Sequence, residues 1–463
     1  MNRVSCLTLL IALFLSAGVS AQQNEDAFFI RDIYDQALTA GDAYEWLDYL
    51  TNNIGPRLGG SPESAAAVEY VRQMLDTMGM DTVWLQPCMV PHWERGEPEM
   101  GRIVNSSRMG TVDLDVLALG NSVGTGPEGI TAQVIEVQSL EELAELGRER
   151  IEGKIVFFNR PMDPTQINTF NAYGGAVDQR VYGASRASEY GAVAALVRSV
   201  TTRIDDIPHT GVNVYQEGVR PIPSLAVSTK GANLLSDLLV TENIQVYLRN
   251  TSRMLGTKKS YNVIGEIYGS EYPEEIVLVG GHLDSWDVGR GAHDDGAGCV
   301  QAMDVVNILN KVNYRPKRTL RCVLFMNEEN GQAGAIKYRD ESFARDEYHM
   351  AAIESDRGGF TPRGFTFDAH ESIFNEKFRN VLEWLPLLEP YGLSLDKGGS
   401  GADISRLKDQ MGLLIGFAPD TQRYFDYHHA ETDTLEAVNP RELQSGAAAM
   451  ASLVYLLDKY GIN

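Results

Sequence analysis

Residues 274–312 read EEIVLVGGHLDSWDVGRGAHDDGAGCVQAMDVVNILNKV. The run IVLV at 276–279 is apolar at every position, as in a strand buried on both faces, and AGCVQAMDVVNILNKV carries apolar residues at helical spacing. Between them lies a polar, glycine-rich stretch at the strand's carboxyl end. The same alternation continues outward. Strands are predicted in NVIGEIYG (262–269), TLRCVLFMN (319–327), MAAIES (350–355) and MGLLIGFA (411–418), and helices in FNEKFRNVLEWLPLL (374–388) and PRELQSGAAAMASLVYLLDKYG (440–461). Strands alternating with helices predict an α/β fold, a mostly parallel mixed sheet between helical layers. Ligands of such sheets bind beyond the carboxyl ends of the strands.

Five metal-capable side chains stand at or just beyond such ends: His282, Asp294, Glu329, Asp356 and His429. Singly, an Asp-Asp or Glu-Glu pair is usually a solvated surface feature and a lone histidine a hydrogen-bonded one. Their order and shared placement point elsewhere. Two histidines and three carboxylates form the ligand set of a two-zinc hydrolase, although oxygen and nitrogen ligands also admit manganese or cobalt. Asp284, two residues after His282, is a candidate to accept the imidazole's second N–H. Asp294 and Asp295 precede Gly296-Ala297-Gly298, where the backbone can come close and one carboxylate can span two ions. The adjacent acids Glu328 and Glu329 repel unless one is a ligand and the other a general base, so Glu328 takes the role of proton acceptor. On residues alone, His428 competes with His429.

Other motifs carry less. Gly120-Asn121-Ser122-Val123-Gly124 matches a nucleophile elbow, but Thr-Gly-Pro-Glu-Gly follows where a helix should start. His370-Glu371 lacks the second histidine of H-E-x-x-H, since Phe374 stands there. His293 is expected to orient neighbours or lie exposed.

Residues 1–21 run from Arg3 through an apolar stretch to Val19-Ser20-Ala21, a secretory leader, so the mature chain is expected to start at Gln22 and to be secreted, extracellular or periplasmic. No later run is long enough to span a membrane. A net charge of -23 argues against nucleic acid as a partner. Beyond Cys6, only Cys88, Cys299 and Cys322 remain, too few for a disulfide framework and, for the last two, in settings that suit buried thiols. Helical patterns fill much of 27–80, and DTVWLQPCMVPHWERGE (81–97) alternates like a strand. The character then changes, with strand candidates ITAQVIEV, GKIVFFNR and SLAVS and a small-residue helix in RVYGASRASEYGAVAALVRS. The expected organisation is a discontinuous main domain, 22–124 and 246–463, with an α/β module inserted at 125–245.

The strings GGHLDSWDVGRGAHDDGAG (280–298), EEN (328–330), IESD (353–356) and HHAETDT (428–434) resemble the co-catalytic dinuclear zinc exopeptidases, the family of secreted bacterial aminopeptidases and glutamate carboxypeptidase. IGPRLGGS (54–61), PHWERGE (91–97), GPEGI (126–130), PHTG (208–211) and RPKRTLR (315–321) extend the likeness, nearest to the carboxypeptidase Q branch, over nearly the whole mature chain. The resemblance implies the family's zinc-exopeptidase fold and two Zn2+, with His282 and Asp356 on one ion, Glu329 and His429 on the other, Asp294 bridging and Glu328 as base. Its H-x-x-x-D pattern, ending at Asp433, selects His429 over His428. It gives Asp284 the supporting acid position, makes a cis Asp294–Asp295 bond expected, and likens the insertion to a protease-associated domain that helps roof the active site. It further implies hydrolysis of unblocked dipeptides or short peptides through a metal-bridging hydroxide, and homodimers. An aminopeptidase on longer peptides, or a non-enzymatic binding ectodomain of the same fold, are the alternatives. Two positions depart from the family, His293 before the Asp-Asp pair and Asn330 after the Glu-Glu pair.

Overall fold

The computed structural model describes residues 24–462, and the leader expected at 1–21 lies outside them. The strand read from IVLV runs Tyr272–His282, and the helix behind it Ala297–Lys311. Eight strands form the sheet around it, in the order Thr82–Glu94, Arg253–Ile267, Arg318–Phe325, Tyr272–His282, Tyr348–Glu354, Leu413–Pro419, Pro362–Asp368 and Ser394–Lys397. The four central strands are mutually parallel, whereas Arg253–Ile267 and Pro362–Asp368 join them antiparallel. The expected mixed sheet is present.

Burial follows the two-residue period of the strands. Val277, Val279, Leu320, Cys322 and Leu324 point into one core, under helices Pro62–Thr77, Ala297–Lys311 and Pro440–Tyr460. Ile276, Leu278, Val323 and Phe325 point into the opposite core, under helix Ala333–Ala344 and the 3-10 turn Ile404–Gln410. Apolar side chains on both faces explain the uninterrupted runs in the sequence. Pairing sets His282 beside Phe325, and Glu354 beside Gly280 and Gly416, so the four parallel strands end nearly level. That rim carries the site.

Several elements differ in extent from the sequence reading. NVIGEIYG is only the end of the fifteen-residue strand Arg253–Ile267. The helix predicted over 374–388 divides into Glu371–Leu382 and Leu385–Leu388, with Pro386 at the start of the second. His370 caps the first, accepting the Ser372 amide, which accounts for the isolated His-Glu pair.

A second eight-stranded sheet runs Gly110–Leu114, Met100–Ser106, Gln245–Arg249, Ile130–Val137, Ile155–Phe158, Ala194–Arg198, Ser224–Val227 and Val116–Ala118. Three of these strands precede Thr125, outside the interval in which the sequence placed the insertion. Two of them pair with partners far along the chain, Met100–Ser106 with Gln245–Arg249 and Val116–Ala118 with Ser224–Val227, while Gly110–Leu114 pairs with Met100–Ser106. Among the described residues, no helix is long and apolar enough to cross a membrane. Cys88, Cys299 and Cys322 are buried free thiols.

Candidate active site

The four parallel strands deliver the five expected side chains to one rim. His282 ends its own strand, Glu328 and Glu329 follow Arg318–Phe325, Asp356 follows Tyr348–Glu354, and His429 lies on the longer loop after Leu413–Pro419. Asp294 comes from the turn before helix Ala297–Lys311, and its bond to Asp295 is cis. Gly298 has a steric reason at that turn, because a Cβ there would collide with the Ser355 carbonyl and the Asp295 carboxylate.

Asp294 stands at the centre. Its Oδ1 lies 3.2 Å from His282 Nε2, which is also 3.4 Å from Asp356 Oδ1. Its Oδ2 lies 3.2 Å from His429 Nε2, which is also 3.2 Å from Glu329 Oε2. His428 stacks on His429 with ring centroids 3.5 Å apart, but its Nε2 is farther from Asp294, at 3.8 Å. Asp295 turns away, accepting the backbone amides of His282 and Gly298 at 3.0 Å.

Burial and crowding shift these groups. Burial, reinforced by the Asp294 charge, pushes the Glu329 carboxyl well up. For Glu328, burial and the nearby Asp356, Asp284 and Asp294 charges raise it to about 7. Burial disfavours the His282 imidazolium, but bonds to Asp294 and Asp356 outweigh it and hold the ring well above its ordinary value. Burial drives His429 downward. The cleft concentrates acids that repel one another until cations enter.

Asp284 does something other than expected. His282 Nδ1 donates to the Asp284 main-chain carbonyl at 3.0 Å and stays 3.8 Å from its carboxylate. That carboxylate accepts the Asn327 and Glu328 amides, at 2.6 and 3.0 Å, and so fixes the backbone that carries both glutamates.

The sequence profile of peptidase family M28 matches residues 262–454. Carboxypeptidase Q of Bos taurus is 37% identical over 418 residues, 90% of this chain and 85% of that protein. The crystal structure of a peptidase M28 precursor from Shewanella amazonensis aligns with a TM-score of 0.88 at 32% identity, covering 94% of this chain and 97% of that one. This chain belongs to peptidase family M28. It is a metallo-exopeptidase. A zinc aminopeptidase from Bacillus subtilis shares the fold at a TM-score of 0.64 and 19% identity, with 89% of this chain and 94% of that one covered.

Within this M28 site, several residues have roles that the sequence reading did not assign. Arg57 is fully buried and donates to the carbonyls of Leu283, Arg290 and Gly291, at 2.7, 2.9 and 2.9 Å, clamping the loop between His282 and Asp294. Asp433 accepts the His293 and Asp294 amides, at 2.7 and 3.1 Å, which sets the Asp294 backbone. A cavity of about 890 Å³ opens above Glu328, Glu329 and Asp356 and is closed on its far side by Tyr173, Arg180 and Tyr215 of the second sheet region. His293 is buried rather than exposed: its ring stacks on Phe360, accepts the Gly359 amide and meets the Ala437 carbonyl. Ser122 is also buried, with its Oγ accepting the Ser224 amide, and no helix follows it.

Proposed function

We propose that this chain is a two-zinc peptidase that cleaves unblocked dipeptides and short peptides, as its likeness to carboxypeptidase Q suggests. The observation that carries the reading is the division of Asp294, with one oxygen toward His282 and Asp356 and the other toward His429 and Glu329. A carboxylate divided in this way suits a bridge between two ions. The donor set fits: Asp294 Oδ2 and Glu329 Oε1 are buried without a hydrogen-bond partner, a state that costs about 1–3 kcal/mol unless something pairs with them. Imidazole and carboxylate donors suit zinc and also admit manganese or cobalt. In this assignment His282 and Asp356 hold one ion, His429 and Glu329 the other, and Asp294 both. Zinc held there would lower the pKa of the attacking water and polarise the scissile carbonyl.

The protein supplies the rest. Glu328, raised to about 7 by burial, lines the cavity and is the base that takes the water proton and returns it to the leaving amine. Asp284 holds its backbone in place. Arg180 favours a substrate with a free carboxylate. Its side chain is buried at the cavity wall, with Tyr173 Oη accepting at 2.8 Å and Nε lacking a partner. His429 Nδ1 lies 3.4 Å away, but that nitrogen also faces the Thr210 carbonyl, 3.3 Å distant, to which it donates when Nε2 binds metal. A buried guanidinium so poorly matched is completed by an anion. The C-terminal carboxylate of a dipeptide is the natural one.

Secretion enters this proposal through the leader-like residues 1–21. The second sheet region, resembling a protease-associated domain, covers the cleft, and the homodimer expected of the family belongs to the same reading. The test compares hydrolysis of a dipeptide, its C-terminal amide and its N-acetyl form, each before and after chelation. Chelator-sensitive cleavage of the free dipeptide alone is expected. Equal turnover of the amide points to an aminopeptidase, and turnover indifferent to chelation refutes the metal assignment.

A further inference from the structure

We infer that residues 201–210 of the second sheet region position His429, so that one half of the metal pair depends on contact between the two regions while the other half does not. The inference rests on the two-ion reading above. His429 has φ 61°, a left-handed backbone that a non-glycine residue keeps only when its surroundings impose it. The imposing contacts come from across the cleft. The Thr210 amide donates to the His429 carbonyl at 3.0 Å, and the Thr210 carbonyl lies 3.3 Å from His429 Nδ1. One residue earlier, His209 Nδ1 lies 2.7 Å from the His428 carbonyl, and Thr201 Oγ1 donates to the Phe425 carbonyl at 2.5 Å. His209, Thr210 and Thr201 are all buried. An apolar seam of Met162, Ala172 and Val200 against Tyr424 and Phe425 backs the same loop.

These bonds have a chemical consequence at His429. The Thr210 carbonyl facing Nδ1 suits the tautomer with its proton on Nδ1, in competition with the Arg180 guanidinium 3.4 Å from the same nitrogen, and that tautomer leaves Nε2, the atom facing Asp294 and Glu329, free to bind a metal. His209 orders the preceding carbonyl in the same way and leaves its own Nε2 buried without a partner. The other half of the site is built differently. His282 is fixed by its own strand, by Asp295 at its amide and by the Asp284 carbonyl at Nδ1, all from the first sheet region. His209 is therefore a positioning residue for one ion, acting through the loop that bears His429.

The experiment titrates zinc into the chelated full-length protein by calorimetry, where two binding steps are expected, and uses His429→Ala to identify the step that belongs to His429. His209→Phe should weaken that step about 10-fold to 100-fold, the usual effect of removing a partner behind a ligand, and leave the other unchanged. His209→Asn, whose amide nitrogen can stand where Nδ1 stands, should restore it. If His209→Phe does not fold, Thr201→Val, of nearly the same shape, is read in the same way. Wild-type affinity at both steps, or equal weakening of both, overturns the inference. A wild-type protein that takes up fewer than two zinc ions refutes the two-ion reading itself, a result the variants cannot imitate.

Discussion

Glu328 and Glu329 are neighbours in sequence but meet different surroundings. Glu329 is almost wholly buried, with Oε2 against His429, while Glu328 is half-buried, lines the cavity and receives only a long bond from Gln332, at 3.4 Å. In the proposed site Glu329 would hold a metal and Glu328 would move a proton. Glu328→Gln is therefore expected to keep its zinc content while kcat falls about 10²-fold to 10⁴-fold, the usual scale for losing a general base. A variant that retains wild-type turnover removes Glu328 from that role. The same residue sets a pH dependence. Burial raises its carboxyl to about 7, and a base works only when deprotonated, so activity rises as pH climbs through its pKa. Cations held in the proposed site would favour the carboxylate and draw that value down. The acidic limb of kcat/KM is accordingly expected below pH 7, and an inflection above 7 argues against Glu328 as its source.

At the level of elements, the parts most legible in the sequence were those governed by local pattern. The central strands are apolar on both faces because both faces are covered, and IVLV, LRCVLF and MAAI show it directly. In strand Thr82–Glu94 burial alternates only over Gln86–Val90, where it buries Gln86 and exposes Met89. By contrast, Gly110–Leu114 and Val116–Ala118 are five and three residues long, the first paired only with the adjacent strand Met100–Ser106 and the second only with the distant Ser224–Val227. Three residues are too few for a local pattern to report Val116–Ala118. The last helix, Pro440–Tyr460, announced itself by apolar residues along its length, and it buries fourteen of its residues behind the sheet. Its start is fastened by Asn439, whose side chain accepts the Arg441 and Glu442 amides at 2.9 and 3.3 Å. Asn439→Ala should lower unfolding free energy by about 1 kcal/mol, seen as a lower denaturant midpoint, without altering KM. Unchanged stability would show that packing alone holds this end of the helix.

The whole molecule joins two sheets across one cleft, and here sequence and site part company. His282, Asp294, Glu329, Asp356 and His429 could be picked out as candidate ligands because imidazoles and carboxylates are chemically conspicuous and these stand at or just beyond strand ends. Arg180 could not, since RVYGASRASEYGAVAALVRS holds three arginines and nothing in the string tells which one reaches the cavity. Only the fold does, by packing helix Asp178–Glu189 so that Arg180 meets Tyr173 and approaches His429 while Arg186 pairs with Glu189 at 3.1 Å. If Arg180 receives the substrate carboxylate, Arg180→Met should cut kcat/KM on a free dipeptide roughly 10-fold to 100-fold, matching the loss of a hydrogen bond to a charged group, with most of the loss in KM. The C-terminal amide of the same dipeptide, already a poor substrate, should change little. The ratio between the two substrates isolates the carboxylate from general damage to the site, because damage lowers both alike. A variant that loses activity on dipeptide and amide in equal measure would show that Arg180 supports the cavity wall and does not read the substrate's end.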